Sequence, residues 1–440
     1  MRDRWPPALA IAPLEAPPDA VVRLPGSKSI TNRALVCAAQ APGETTLAGA
    51  LFADDTEAMV EAVRTLGAEV ACDPGAATMR VRSTGAVDTA SDAVINARMS
   101  GTTGRFVAPL AALSEHGVTL DGHPQLRTRP FGDLADALRH LGVSVEFPGG
   151  GDGLPMRIRG PIRARSAPVA TDRSSQFLSG LMMAAPAVPG GMRLPVVGPA
   201  VSQSYVEMTA AVMRTFGASV RVEPGLVQVA GGGYRPVERF AVEPDASSAS
   251  YFMAAAAVTR GTVRIEGLGA GSIQGDTGFA GVLESMGASV AQDEASTTVT
   301  GGPLRGVDID LADMSDTAPT LAAVAALADT PTRVRGIGFV RGKESDRIAA
   351  VVTELTRCGV EARELEDGFE VVPGAAVTGT RVRTYDDHRI AMAFAVLGLV
   401  VPGMEIENPG CVAKTFPGFY EALDGLRPGQ ESRSRGSRSA

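Results

Sequence analysis

Residues 64–83, "RTLGAEVACDPGAATMRVRS", carry the pattern from which the fold can be read. A helical run ends on Gly67, the residue type that reaches φ > 0 just past a helix at least cost. Apolar and polar letters then alternate on both sides of an Asp-Pro-Gly turn signal, as in a β-hairpin. The phrase returns as "RHLGVSV", "RTFGASV", "ESMGASV", "TRCGVEA" and "ALDGLRP". Its glycines, Gly67, Gly142, Gly217, Gly287, Gly359 and Gly425, stand 75, 75, 70, 72 and 66 residues apart. A hairpin pattern follows the first five; the sixth copy stops short.

A second series is offset from the first, with starts marked by Lys28, Thr102, Ser174, Ser247, Asp316 and Asp387 at steps of 74, 72, 73, 69 and 71 residues. Each start is small and polar and runs into an almost continuously apolar helix, which must be buried on most sides. Each of the six units thus holds an inner apolar helix, an outer amphipathic helix and several strands. They predict an α/β fold of two pseudo-symmetric domains of three repeats each. We place one domain at residues 23–243 and the other at 244–427 together with 1–22, with a hinge near residues 238–248. The segment before Val22 is placed to pair with the last copy. The Arg/Ser-rich residues 428–440 are expected to be disordered.

The 440 residues suffice for two sizeable cores, and 45% hydrophobic with 20% charged content is that of a soluble globular chain. Prolines interrupt the apolar letters of the first twenty residues, so no secretory signal is read there. The longest apolar run, Ile390 to Met404, is too short and proline-broken for a membrane span and is read as a buried helix. A cytoplasmic protein is expected. The formal net charge of −8 argues against broad binding to nucleic acid or anionic membrane.

Cys37, Cys72, Cys358 and Cys411 show no CxxC pair, and His116, His123, His140 and His388 show no HxxxH or HxH spacing. Neither a disulfide framework nor a metal site is suggested. "GSKS" lacks the full P-loop spacing, and nucleophile-elbow, Rossmann and kinase signatures are missing. The site is expected to be multi-anionic, metal-free and without a covalent nucleophile.

The unusual polar residues gather at predicted helix starts, where unpaired N–H groups and the helix dipole favour anions. The inner starts carry Lys28, Ser29, Arg33, Gly101, Thr102, Arg105, Ser174, Ser175, Gln176, Asp316, His388 and Arg389. The outer starts carry Arg129, Ser202, Tyr205, Lys343, Glu344, Arg347 and Lys414. Any Ser, Thr or Asp there reads equally well as a helix cap. Cations are different, because the dipole disfavours them unless an anion lies between. Lys28, Lys343 and Lys414 are moreover the only lysines beside 38 arginines. Lysine offers a point charge and a transferable proton, whereas guanidinium stays protonated. Unchanged turnover in Lys28→Arg would remove that reading.

Eight segments, "LPGSKSITNRAL", "SGTTGRF", "RTRPFGDL", "SSQFLSGL", "DASSASYF", "GKESDR", "DDHRIAMAFA" and "AKTFPGF", resemble in order the motifs of the 5-enolpyruvylshikimate-3-phosphate synthase family. Together they span about residues 22–425. The resemblance implies an inverse α/β barrel of two domains, each of three βαβαββ units, closing like jaws on substrate. It implies transfer of the enolpyruvyl group of phosphoenolpyruvate to the 5-hydroxyl of shikimate 3-phosphate, through a tetrahedral intermediate, without cofactor or metal, in a monomer.

Matched motif by motif, Lys28, Ser29, Arg33, Ser174, Ser175, Gln176, Ser202, Tyr205, Asp316 and Lys343 would hold shikimate 3-phosphate. Lys28, Gly101, Arg129, Gln176, Arg347, Arg389 and Lys414 would hold phosphoenolpyruvate. Asp316 resembles the proton acceptor and Glu344 the proton donor, with Lys28 sharing proton transfer and His388 supplying an electrostatic or hydrogen-bonding contact. From the residues alone, Glu344 and Arg347 read equally as an i,i+3 surface pair. Met99 and Phe339 depart from the family pattern, and their two contacts do not carry over. The alternatives are a sister transferase acting on UDP-N-acetylglucosamine, against which "KSITNR" speaks, a secondary-pathway paralogue, and a non-enzymatic anion binder.

Overall fold

The inner helices of the computed structural model, which describes residues 4–199, 201–374 and 376–427, are Lys28–Ala39, Gly101–Ala111, Ser175–Ala184, Ala246–Thr259, Ala318–Ala325 and His388–Gly398. Residues 428–440, expected to be disordered, lie outside the described residues. The apolar runs dictate burial: every residue of Gly101–Ala111, Ala318–Ala325 and His388–Gly398 is buried. Each large side chain such as Ile390, Phe394 or Leu397 thereby contributes about 1.5–3 kcal/mol. The run from Ile390 is thus a core helix, and no helix among the described residues is long and apolar enough to cross a membrane.

The outer helices are Asp54–Thr65, Gly132–His140, Gln203–Thr215, Phe279–Ser285, Arg347–Arg357 and Phe419–Asp424. Past the first five, Gly67, Gly142, Gly217, Gly287 and Gly359 adopt φ of 100°, 84°, 84°, 112° and 81°. All five hairpins follow: Glu69–Asp73 with Thr78–Ser83, Ser144–Glu146 with Met156–Arg159, Val220–Glu223 with Leu226–Val229, Ser289–Gln292 with Ser296–Thr300, and Glu361–Leu365 with Gly368–Val372. Gly425 differs from the expectation. Its φ is −61°, so it prolongs a short helix without turning the chain into a strand.

Among the described residues the strands form six separate sheets, five of four strands and one of three. Each four-stranded sheet has a parallel pair extended by an antiparallel hairpin. Ala93–Asn96 lies parallel to Val118–Asp121, for example, with the buried helix Gly101–Ala111 as the crossover. A strand from elsewhere completes three sheets. Arg239–Ala241 pairs with Gly43–Ala48, Asp19–Val22 with Thr262–Glu266, and Ala8–Ile11 with Met404–Glu407. The last pairing supplies an antiparallel neighbour that the truncated sixth copy lacks.

The described chain divides into two compact units, one of Pro25–Glu243 and the other of the described residues on either side. Within each unit the three inner helices touch one another and the sheets lie outside. The fold is α/β with helices inside, and the sheets remain six pieces; none closes into a barrel.

Candidate active site

In the unit of residues 25–243, Ser27 caps its helix by accepting from the Ile30 N–H, which places Lys28 and Ser29 in the first turn. Lys28 Nζ lies 3.4 Å from the buried carboxylate of Asp55. Arg33 is enclosed. Its Nε donates to Thr209 Oγ1 at 2.7 Å and its terminal nitrogens to the carbonyls of Ser29 and Tyr205, at 3.0 and 3.3 Å. Its guanidinium also lies over the rings of Phe106 and Tyr205. Burial lowers its pKa to about 10, against the pull of Tyr205 and Cys37. Arg33 thus ties three segments of the unit together.

Ser174 caps the third inner helix, Ser175–Ala184, by accepting from the Gln176 N–H at 3.2 Å, with Ser175 buried beside it. The Gln176 amide is fixed at both ends: Arg105 donates to Oε1 at 2.9 Å, and Nε2 donates to Thr102 Oγ1 at 3.3 Å. Arg105 stacks on Phe131 and Phe177. Gly101 opens its helix where a Cβ would stand 3.1 Å from Arg129 Nη1, so the missing side chain leaves that buried guanidinium its place. Ser202 precedes Gln203–Thr215 in a left-handed conformation with φ 53°.

The second unit contains a buried ion cluster centred on Arg347. Its Nη1 donates to Asp316 at 2.8 Å, its Nη2 to Glu344 at 2.8 Å, and its Nε to Asp387 at 2.8 Å. Arg389 also donates to Asp316, at 2.5 Å, and Lys414 Nζ lies 3.7 Å from Glu344. Burial alone would lower the pKa of Arg347, but Asp387, Glu344 and Asp316 outweigh it and raise it. Asp387 caps its helix by accepting from the Arg389 N–H at 2.9 Å and also accepts from Ser345 Oγ at 3.0 Å. His388 is buried at the first helical residue, with Nδ1 3.6 Å from Asp387. Such a cluster can hold carboxylate and phosphate groups and offers two carboxyl groups, Asp316 and Glu344, for proton transfer.

Two lysines depart from the expected helix starts. Lys343 ends the 3-10 turn Gly338–Gly342, and Lys414 is the last residue of Pro409–Lys414. A C-terminal end favours a cation, so the dipole argument does not apply to either. What holds them is local: Lys414 faces Glu344, and Lys343 Nζ lies 5.7 Å from the ring of Phe339. Phe339, a departure from the family pattern, thus supplies an aromatic face to a site lysine, while Met99 is simply buried. Asp316 lies in the 3-10 turn Ala312–Thr317, just ahead of its helix. Sequence reasoning missed Asp55, Thr209, Ser345 and Asp276 and read Asp387 only as a helix marker. The acidic pairs "DD" at 54–55 and 386–387 were the available signal. Burial pushes the thiols of Cys37 and Cys358 up, to about 12 and about 11, which keeps those two protonated, whereas Cys72 is exposed.

Residues 15–423 match the family model of EPSP synthase (3-phosphoshikimate 1-carboxyvinyltransferase). The chain is 42% identical over 415 residues to the 3-phosphoshikimate 1-carboxyvinyltransferase of Trichormus variabilis, covering 94% of this chain and 97% of that one. Among solved structures, the EPSP synthase of Acinetobacter baumannii superposes with a TM-score of 0.81 at 26% identity, covering 96% of this chain and 98% of its own. The enolpyruvyl transferase NikO of Streptomyces tendae shares the fold, with a TM-score of 0.77 at 19% identity over 95% and 97% of the two chains. A match that spans nearly every repeat, at such identity to named relatives, makes this chain a member of the EPSP synthase family.

Proposed function

We propose that the protein transfers the enolpyruvyl group of phosphoenolpyruvate to the 5-hydroxyl of shikimate 3-phosphate and releases phosphate; its relatives are named 3-phosphoshikimate 1-carboxyvinyltransferase. The observation that carries this reading is the Arg347 cluster, in which two carboxyl groups fit for opposite proton transfers share cations that suit a substrate bearing carboxylate and phosphate.

In the addition step, Asp316 accepts the proton of the 5-hydroxyl as that oxygen bonds to C2 of phosphoenolpyruvate. Glu344 delivers a proton to C3, which becomes a methyl group in a tetrahedral intermediate. In the elimination step a methyl proton returns to Glu344, the C2–C3 double bond re-forms, and the C2–O bond to phosphate breaks as the departing phosphate takes up the proton held by Asp316, which leaves both carboxyls as they began. Arg347, Arg389 and Lys414, with Arg129 at Gly101, bind the anionic groups of phosphoenolpyruvate. Lys28, Ser29, Arg33, Ser174, Ser175, Gln176, Ser202, Tyr205 and Lys343 orient shikimate 3-phosphate, and Lys28 and Gln176 serve both ligands. His388 contributes through hydrogen bonding and charge. The protein acts in the cytoplasm as a monomer on small anions, with no part for nucleic acid or membrane.

The test is phosphate release with the two substrates, in wild type and in Asp316→Asn. We expect turnover that needs both substrates and a loss of about 10²–10⁴-fold in the variant, the usual range for a positioned general base. Folded wild-type protein that releases no phosphate with this pair would refute the function. Retained activity in the variant would refute the role of Asp316.

A further inference from the structure

Asp276 is a buried carboxyl that the mechanism above does not use. It lies in the 3-10 turn Gly275–Gly278, fixed by Gln274, whose Oε1 accepts from the Ala246 N–H at 3.1 Å and whose Nε2 donates to the Pro244 carbonyl at 2.8 Å. Ser247 Oγ donates to Asp276 Oδ2. The turn packs against Ala312–Thr317, which carries Asp316, closely enough that a Cβ on Gly278 would meet the Met314 methyl at 2.8 Å. The ionisable groups around Asp276 are Asp316 and the exposed Asp313 on that turn, Asp245 capping the inner helix, and Arg389. Glu284, on the helix that follows, is exposed to solvent.

Charge balance shows what such a neighbour does. Asp316, Glu344 and Asp387 are three carboxylates, and Arg347, Arg389 and Lys414 are three cations. Whatever the charge of Glu344, which must carry a proton to act as donor, an ionised Asp276 would add a further buried negative charge beside Asp316 and Arg389, and so draw on a cation that an anionic substrate needs.

We propose that Asp276 is a positioning residue for anion binding, a carboxyl that must be protonated for its neighbour Arg389 to present its charge to phosphoenolpyruvate. The inference rests on the functional reading above. Its environment acts in this sense: burial and then Asp316 push the Asp276 carboxyl up to about 7, while Ser247 and Arg389 pull it back. Because the ligand binds the protonated form, affinity is full below that pH and falls as pH rises through it.

The experiment is the KM for phosphoenolpyruvate from pH 5.5 to 8.5, at saturating shikimate 3-phosphate, in wild type, Asp276→Asn and Ser247→Ala. Ionisation of the ligand is common to all three and cancels in the comparison. Asparagine mimics the neutral carboxyl, so between pH 6 and 8 the wild-type KM should rise roughly tenfold more than that of Asp276→Asn. Ser247→Ala removes a bond that favours the ionised form, so its break should move to higher pH; this arm stands if the Asn variant fails to fold. Parallel KM profiles for wild type and Asp276→Asn, or an unmoved break in Ser247→Ala, would overturn the inference. So would a fall confined to kcat. Absence of wild-type turnover is a different result, which refutes the reaction itself.

Discussion

Replacing Arg347 by lysine keeps the charge of the buried cluster and removes its geometry. One planar guanidinium meets three separate carboxylates, with Nη1 on Asp316, Nη2 on Glu344 and Nε on Asp387, each at 2.8 Å. An ammonium group is a single point on a flexible stem and cannot reproduce that fork. If lysine retains one of these bonds, two charge-assisted bonds are lost, at about 1.5–3 kcal/mol each. The total, about 3–6 kcal/mol, falls partly on folding and partly on the orientation of Asp316 and Glu344. Every 1.4 kcal/mol taken from the transition state is a factor of ten, so if half of that total falls there we expect kcat/KM to fall about 10- to 100-fold. Melting should also drop, by roughly 2–4 °C for each kcal/mol that falls on a unit of this size. Steady-state phosphate release and thermal melting measure the two shares. An Arg347→Lys protein that melts with wild type and turns over within threefold of it would refute the idea that the fork orients the two proton-transfer groups.

Three further substitutions, at Gly101, Gly67 and Gly425, test other levels of the structure. In Gly101→Ala the new methyl would lie 3.1 Å from Arg129 Nη1, so the guanidinium must give way by a few tenths of an ångström. An overpacking cost of about 1–3 kcal/mol should raise the KM for phosphoenolpyruvate about tenfold or more and leave kcat less affected; an unchanged KM would remove Arg129 from that ligand. Gly67→Ala puts a side chain at φ 100° and 2.7 Å from the Asp88 carbonyl oxygen, whereas Gly425 already has φ −61°. Chemical denaturation should therefore show a loss of about 1–3 kcal/mol for the first and well under 1 kcal/mol for the second, and equal losses would contradict the repeat reading.

The repeat was legible because its signals are long and mutually consistent. An apolar run such as the one from Ile390 can only be interior, and an alternating pair of segments about Pro-Gly can hardly be anything but a hairpin. The strands that arrive from a distance left weaker traces. The sequence places the segment before Val22 against the last copy, and Ala8–Ile11 does pair there with Met404–Glu407, but no local pattern gives that register or sends Asp19–Val22 to Thr262–Glu266. The 3-10 turns were invisible, since five or six residues show no period; that is why Lys343 and Lys414 were assigned to helix starts. Aspartates were ambiguous for a chemical reason. Asp245, Asp346 and Asp387 all accept an N–H bond at a helix start, yet Asp346 also binds Arg341 and Asp387 also binds Arg347. A cap and an ion-pair partner have the same letter, and only the folded chain separates them.

The distribution of lysine and arginine then takes on a physical meaning. Arg33, Arg105 and Arg347 each spread their nitrogens over two or more protein partners at about 3 Å, and Arg33 and Arg105 also stack on rings. These side chains set the shape of the site, and a permanent charge suits that task. Lys28 and Lys414 meet Asp55 and Glu344 at 3.4 and 3.7 Å, longer than the 2.8 Å bonds of the Arg347 fork. A group that loses or gains a proton during reaction must do so without unmaking the fold, and a looser ammonium contact meets that condition where a three-way guanidinium fork does not. On the function proposed above, arginine would then serve where a fixed fork is needed and lysine where a compact charge meets a ligand.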